Sequence, residues 1–336
     1  MASQDYSFEP KTFKIGLKVE DNTGTESANV AQVFADSVVM PSMSPQQDLS
    51  PKASFFVSTD DLAHSTSKGQ PVELTFSGLY NDTIGALWQG ILHAASADGG
   101  NISMSDSYTP PDLVIGASVA DTTHTFTVKV IQPSTTDGSS AVNNTITLVG
   151  CTITNLTVSG DSTSDGGRLK YSCTVKTGFA PIFNDAEGTT VAVDATGICT
   201  MFDFLKPQTI IAGVTSPVLQ SFSLSVSNPS EYIGWDPSSN KPYAISRSVP
   251  EVEATLSATV KFDKLQTSIA SNYFNASAQV SLANELSNHD TDSSWTNFGF
   301  SCDKAIITSL ALNEQAAMMY DIEQKLLFGT LKVSTT

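Results

Sequence analysis

The chain has 336 residues, 40% apolar and 15% charged, with 17 basic against 34 acidic side chains and a net charge of −17. That length suffices for two ordinary domains with cores of their own. Both halves are acidic, with 9 basic and 19 acidic residues in 1–186 and 8 and 15 in the remainder, so neither reads as a phosphate-gripping nucleic-acid binder.

The opening MASQDYSFEPKTF has neither a basic start nor an apolar stretch, and predicts no signal peptide. No run approaches the ~20 apolar residues of a membrane-spanning helix. Phe13, Ile15, Leu17 and Val19 alternate with polar residues and predict a first strand, followed by a polar loop over Glu20–Asn29. After DSVVMPSMS comes a long polar loop, Pro45–Gln70, and then the strand pattern of Val72–Gly78. Ile84, Leu87, Trp88 and Ile91 fall on one face of a helix within Thr83–Ser96, which places Trp88 in the core; Gly85 and Gly90 weaken that helix. Ala97–Thr122 is irregular, broken by Gly99-Gly100 and Pro110-Pro111. Phe126, Val128 and Val130 mark another strand. Ile146 and Leu148 lead into Cys151–Val158, and the turn Ser159–Gly167 with Leu169–Val175 completes a hairpin.

The second half follows the same plan. Val218, Phe222, Leu224 and Val226 alternate, with Gln220 as the one miss. A polar loop punctuated by Pro229, Pro237 and Pro242 runs to about Val249, a strand covers Glu251–Phe262, and Asp263 can cap a short helix reaching Tyr273. Val72–Gly78 lies over Val252–Ala258 at a shift of 180 with four of seven positions identical, and Cys151 lies over Cys302 at a shift of 151. The first half thus carries about 29 extra residues (180 − 151), assigned to 97–122. The pattern predicts two β-rich domains, 1–186 and 187–336, meeting in the Pro181–Gly188 cluster, each with one short flanking helix.

Signatures of chemistry are absent. The histidines, His64, His93, His124 and His289, are scattered, and no C-x-x-C, G-x-S-x-G, Walker or G-x-G-x-x-G run occurs, so no catalytic residue, metal ligand or cofactor is predicted. Asp161–Gly166 has the look of a calcium loop but lacks its third and twelfth ligands, and reads as a hairpin turn. Asp290 and Asp292 read as a solvated loop, and the Asn-x-Ser/Thr triplets as chance. Cys151, Cys173, Cys199 and Cys302 read as reduced thiols. One apolar cluster stands out: Trp235, with Tyr232, Ile233 and Tyr243, sits inside a long polar loop. Such a tip either contacts another molecule or folds back on its own domain.

On PVLQSFSLSVSN, the loop with IGWDP, RSVPEVEATLSATVKFD and the closing hairpin Cys302–Gly329, the chain resembles the major tail tube proteins of long-tailed, non-contractile bacteriophages. DSVVMPSMS, GQPVELTFSGLYNDTIGALWQGILHAA and GCTITNLTVSG repeat the pattern in the first half, as in the larger members of that family with a duplicated tube fold. The resemblance covers about Phe13 to Thr330 and rests on strand order rather than on a signature motif. It implies two tandem β-sandwich or barrel-like tail tube domains and self-assembly into rings, trimeric if each chain supplies two of six places. It implies stacked rings touching through Pro45–Gln70 and Pro229–Val249, with Leu49 and Phe55 in the first loop and Trp235, Tyr232, Ile233 and Tyr243 in the second as contacts. It further implies DNA passing through the lumen without specific binding, and tape measure, tail terminator or distal tail proteins at the tube ends. The implied location is the virion tail, assembled in the host cytoplasm without a membrane. The competing expectation is a secreted or surface carbohydrate-binding β-sandwich, which shares the Ser/Thr-rich strands but calls for a signal peptide and a sugar platform.

Overall fold

The computed structural model describes residues 14–20, 24–26, 30–39, 47–48, 64–65, 72–80, 84, 87–88, 91, 125–132, 144–184, 190–191, 209–228, 230–234, 244–247, 253–261, 267–274, 282–287, 298–302, 304–314, 317–326 and 332–335. They are mainly β, in antiparallel sheets packed as a sandwich, as the alternation of apolar and polar residues predicts.

In the first half, β1 (Lys14–Val19) pairs with β2 (Val30–Val33) and β7 (Phe126–Gln132), and β7 pairs with the start of β8 (Asn144–Asp161). β10 (Ile182–Asn184) lies on the other side of β8. The second layer holds β3 (Ser37–Val39), β6 (Val72–Leu79), β9 (Lys170–Thr177) and the end of β8, in that order. The 18-residue β8 therefore serves both layers, with Gly150 at φ +62° and a bulge between Ile153 and Asn155 where it changes partners. Sequence alone suggested a shorter Cys151–Val158 strand; the stretch from Asn144 is continuous with it. β11 (Thr190–Val191), beyond the expected boundary at 186, runs parallel to β2.

The second half repeats these pairings. β12 (Ile210–Ile211) pairs with β13 (Val214–Thr215) and β18 (Asn284–Ser287). β18 pairs with β19 (Phe298–Cys302), and β22 (Lys332–Thr335) closes that layer. The other layer runs β14 (Leu219–Ser227), β17 (Glu253–Lys261), β21 (Met318–Leu326), β20 (Ala305–Glu314). β6 and β9 place Thr75 opposite Thr174 and Leu79 opposite Lys170. β17 and β21 place Thr255 opposite Lys325 and Thr259 opposite Asp321. The shifts of 180 and 151 residues thus carry one set of partners onto the other.

Helical faces close the core. Ile84, Leu87, Trp88 and Ile91 are fully buried as their spacing predicts, and the Trp88 indole donates to the Tyr80 hydroxyl at 3.1 Å. α1 (Thr267–Phe274) buries Ile269; the predicted cap at Asp263 lies outside the described residues. Phe126 and Cys173 are apolar core residues, whereas Asn284 and Gln324 at the corresponding places exchange two amide hydrogen bonds of 3.0 Å. Reciprocal bonding lets two buried amides occupy a core without orphaned donors.

Two expectations need correction. The alternation in β14 does not run through Val218: Leu219 is buried while Val218 is exposed, because a bulge between Leu219 and Ser221 shifts the phase. The miss at Gln220 marks that bulge. The long loops are not wholly irregular either. The first contains the ribbon β4 (Gln47–Asp48) with β5 (His64–Ser65), the second β15 (Ser230–Gly234) with β16 (Ala244–Arg247). Pro229, Pro237 and Pro242 flank these strands rather than interrupt them, which is where proline is compatible with a ladder.

Candidate functional site

The two halves share one sheet. β8 pairs with β14 from Asn155–Ser227 to Asp161–Ser221, giving an eight-stranded order β3-β6-β9-β8-β14-β17-β21-β20. On its inner side the joint buries Leu156 and Val158 against Val226 and Leu224. Its ends are tied by Ser162 N–H to Gln220 O at 2.8 Å and Asn228 N–H to Thr154 O at 2.9 Å. The Asn228 amide also donates to the carbonyl of Ile91 at 3.1 Å, fastening the helical segment of the first half to the second.

The outer side of this sheet is a field of hydroxyls. Ser37, Ser77, Ser172, Thr157, Ser225, Thr255, Lys325 and Ile306 stand in one row across all eight strands. The next row holds Lys170, Ser159, Ser223, Ser257, Glu323 and Ser309. Short side chains bond across strands, Thr75 to Thr174 and Thr157 to Ser225, each at 3.0 Å. Three lysines on this side are ion-paired: Lys176 with Glu73 at 3.3 Å, Lys325 with Glu253 at 2.5 Å, and Lys170 with Asp165. Asp161, Asp321 and Glu323 border a depression of about 500 Å³ whose walls include Ser221, Ser223, Ser257 and Thr259. The Thr163 hydroxyl holds the Asp161 carboxyl below the usual range, and this carboxylate closes the hairpin turn rather than facing a cation. Such a face offers many small dipoles; Lys261 is exposed on it, while Lys170, Lys176 and Lys325 each lie against a carboxylate, so it wets well and offers phosphate few unopposed cations.

Among the described residues the sheet ends in two edges that pair with no further strand, β3 and β20. Both carry apolar side chains in the open: Val39 is 63% exposed and Leu312 56%. Val38 and Leu310 are only partly buried at positions that face the core. Sequence reasoning missed these edges. The available signal was adjacent apolar residues, Val38-Val39 and Ile306-Ile307, where β6, β9 and β17 alternate strictly.

Of the residues expected at ring contacts, Tyr232 and Ile233 lie on β15, with Tyr232 opposite Ile245 of β16. Trp235, Tyr243, Leu49 and Phe55 fall outside the described residues. Cys151, Cys173 and Cys302 are buried free thiols; Cys173 sits opposite Leu156 and Cys151 opposite Phe126, so the hairpin does not bring the first two together. Burial raises the Cys151 and Cys173 thiols well above their ordinary value, with the charge of Glu20 adding to the effect at Cys151. Among the described residues no cluster of His, Cys, Asp and Glu could hold a metal ion, and no helix is long and apolar enough to cross a membrane. No protein-family model matches this chain, and no curated protein matches it.

Proposed function

We propose that the chain is a structural virion protein, the subunit of stacked rings that form a phage tail tube and conduct DNA during ejection. The observation that carries this reading is the joint between β8 and β14. It joins the last strand of one four-stranded group to the first strand of an equivalent group, so the same union at the free edges adds further groups to the sheet. A sheet extended this way must close or keep growing, and rotational closure is the usual solution. Three chains would supply the six groups of the tubes this sequence resembles. The hydroxyl face, with Lys176 and Lys325 held by carboxylates, suits a lumen wall that DNA slides past. Tape measure, terminator and distal tail proteins would meet the ends of the tube.

Electron microscopy of the purified protein tests this. Hollow rings or tubes with three 35.6 kDa chains per ring and six density lobes are expected. Monodisperse monomers that bind glycans would support a carbohydrate-binding sandwich instead. Rings of six full chains, one group of each pointing away from the channel, would overturn the trimer while keeping the tube.

The ribbons supply the ring-to-ring contact in this reading. Each pairs only with itself among the described residues, and an isolated two-stranded ribbon is marginally stable in water, so a neighbouring surface completes it. Deleting residues 230–240, or Trp235→Ser, should leave the melting temperature of the monomer unchanged and shorten tubes severely. Tubes of normal length from the deletion variant would refute the contact.

A further inference from the structure

We propose that β20 of one chain pairs antiparallel with β3 of the next in a single register, with Ser309 opposite Val39, Leu310 opposite Val38 and Ala311 opposite Ser37. The inference deepens the ring reading above and rests on it, but its register comes from this chain alone.

The internal joint between β8 and β14 is the template for this seam. In the first half Val158 lies opposite Tyr171, and in the second Leu310 lies opposite Ile322. Tyr171 and Ile322 correspond, because Gly78 faces the one and Ala258 the other at the established shifts of 151 and 180. Leu310 is therefore the counterpart of Val158. On the other side of the joint, Leu224 lies opposite Leu256 and Val38 opposite Phe76, and Leu256 and Phe76 correspond by the shift of 180. Val38 is therefore the counterpart of Leu224. Within the chain Val158 and Leu224 face each other and are fully buried. Carrying that pair to the free edges sets Leu310 against Val38.

The chemistry of the edges agrees. Leu310 and Val38 occupy core-facing positions at the free edges, and both are only partly covered in the single chain. Union covers them as Val158 and Leu224 are covered. On the outer side the template pair, Thr157 and Ser225, brings two hydroxyl oxygens within 3.0 Å. Ser309 and Val39 take those places, so the open Val39 is shielded by its neighbour's strand. A slip by one residue would turn the apolar side chains to the lumen side, which the period of two forbids. A slip by two keeps the faces and is the register to be tested against.

The test is disulfide trapping in the full-length chain carrying Cys199→Ser, the buried cysteines being retained. Val39→Cys with Ser309→Cys should cross-link most chains under mild oxidation and give a ladder ending at a covalent trimer. The controls Ser37→Cys with Ser309→Cys, and Val39→Cys with Ala311→Cys, report the two-residue slips. In the proposed register these are diagonal pairs about 7–8 Å apart, near or beyond the ~7 Å Cα limit for a disulfide, and they should cross-link at least tenfold less. All four sites are edge positions exposed or half-exposed to solvent, and thermal melts of each variant confirm folding. Trapping confined to either control pair overturns the register. Rings or tubes in micrographs with no trapping at any pair overturn the seam and leave the tube reading intact. Monomers in micrographs together with no trapping overturn both.

Discussion

Replacing Glu20 with alanine should destabilise the isolated chain by about 3 kcal/mol, because it strips a shared acceptor from three buried donors and a partly buried fourth at once. The carboxylate lies beyond the end of β1 with 6% of its surface exposed. One oxygen accepts from the Gly24 N–H and the Thr125 hydroxyl, both at 2.7 Å; the other accepts from the Gly150 N–H at 2.7 Å and the Thr127 hydroxyl at 3.0 Å. It thereby ties the turn after β1 to β7 and to the bend of β8. Leaving a buried donor unsatisfied costs about 1–3 kcal/mol each, and water entering the vacated space offsets part of the total. Glu20→Gln is the sharper variant. It keeps the volume, but its amide nitrogen cannot accept; a threonine hydroxyl can turn to accept from that nitrogen, whereas one backbone N–H, of Gly24 or of Gly150, loses its acceptor. Urea titration of both variants, under conditions where the parent chain stays monomeric, measures the loss. A change below about 1 kcal/mol for alanine would show that these bonds are readily replaced by solvent.

Gly150→Ala should cost a similar amount by a different route. Gly150 has φ +62°, a conformation that costs an alanine about 1–2 kcal/mol. An added Cβ would also lie 2.3 Å from the Phe179 ring, far inside contact distance. That ring sits between two such glycines, since a Cβ on Gly24, at φ +79°, would meet it at 2.2 Å. Displacing the ring adds about 1–3 kcal/mol, for a total of about 3 kcal/mol. The two contributions separate in a double-mutant cycle. With Phe179→Ala in place the clash is gone, and Gly150→Ala should cost only the backbone strain. An equal cost in both backgrounds would mean that the ring moves aside freely.

The wall reading and the seam depend on features of unequal visibility. The hydroxyl face was present in the sequence as Ser and Thr at every second place in SFSLSVS and TLSATV, and the core face as the apolar residues between them. The free edges were far less visible, since an edge strand differs from a central one only in what fails to lie beside it. Their exposure follows from strand order. In β20 the bulge at Thr308 shifts the alternation so that Leu310 takes a core-facing place, while Leu312, two residues further on, is left exposed at the rim.

By itself the sequence determined the long alternating strands β1, β6, β7, β8, β9, β14 and β17, the closing hairpin of β20 and β21, the helical face of Ile84, Leu87, Trp88 and Ile91, and the shifts of 180 and 151 that superpose the two sets of pairings. These rest on local periodicity, which each segment carries whatever its neighbours are. Tertiary structure decided that β8 crosses between layers, that β14 docks on it to fuse the halves into one sheet, and that β3 and β20 are left over as edges. Backbone hydrogen bonds between strands are the same for every residue type, so the choice of partner leaves no periodic trace. It is made by which apolar faces close together, as Val158 and Leu224 do across the joint, and that is a property of the assembled core.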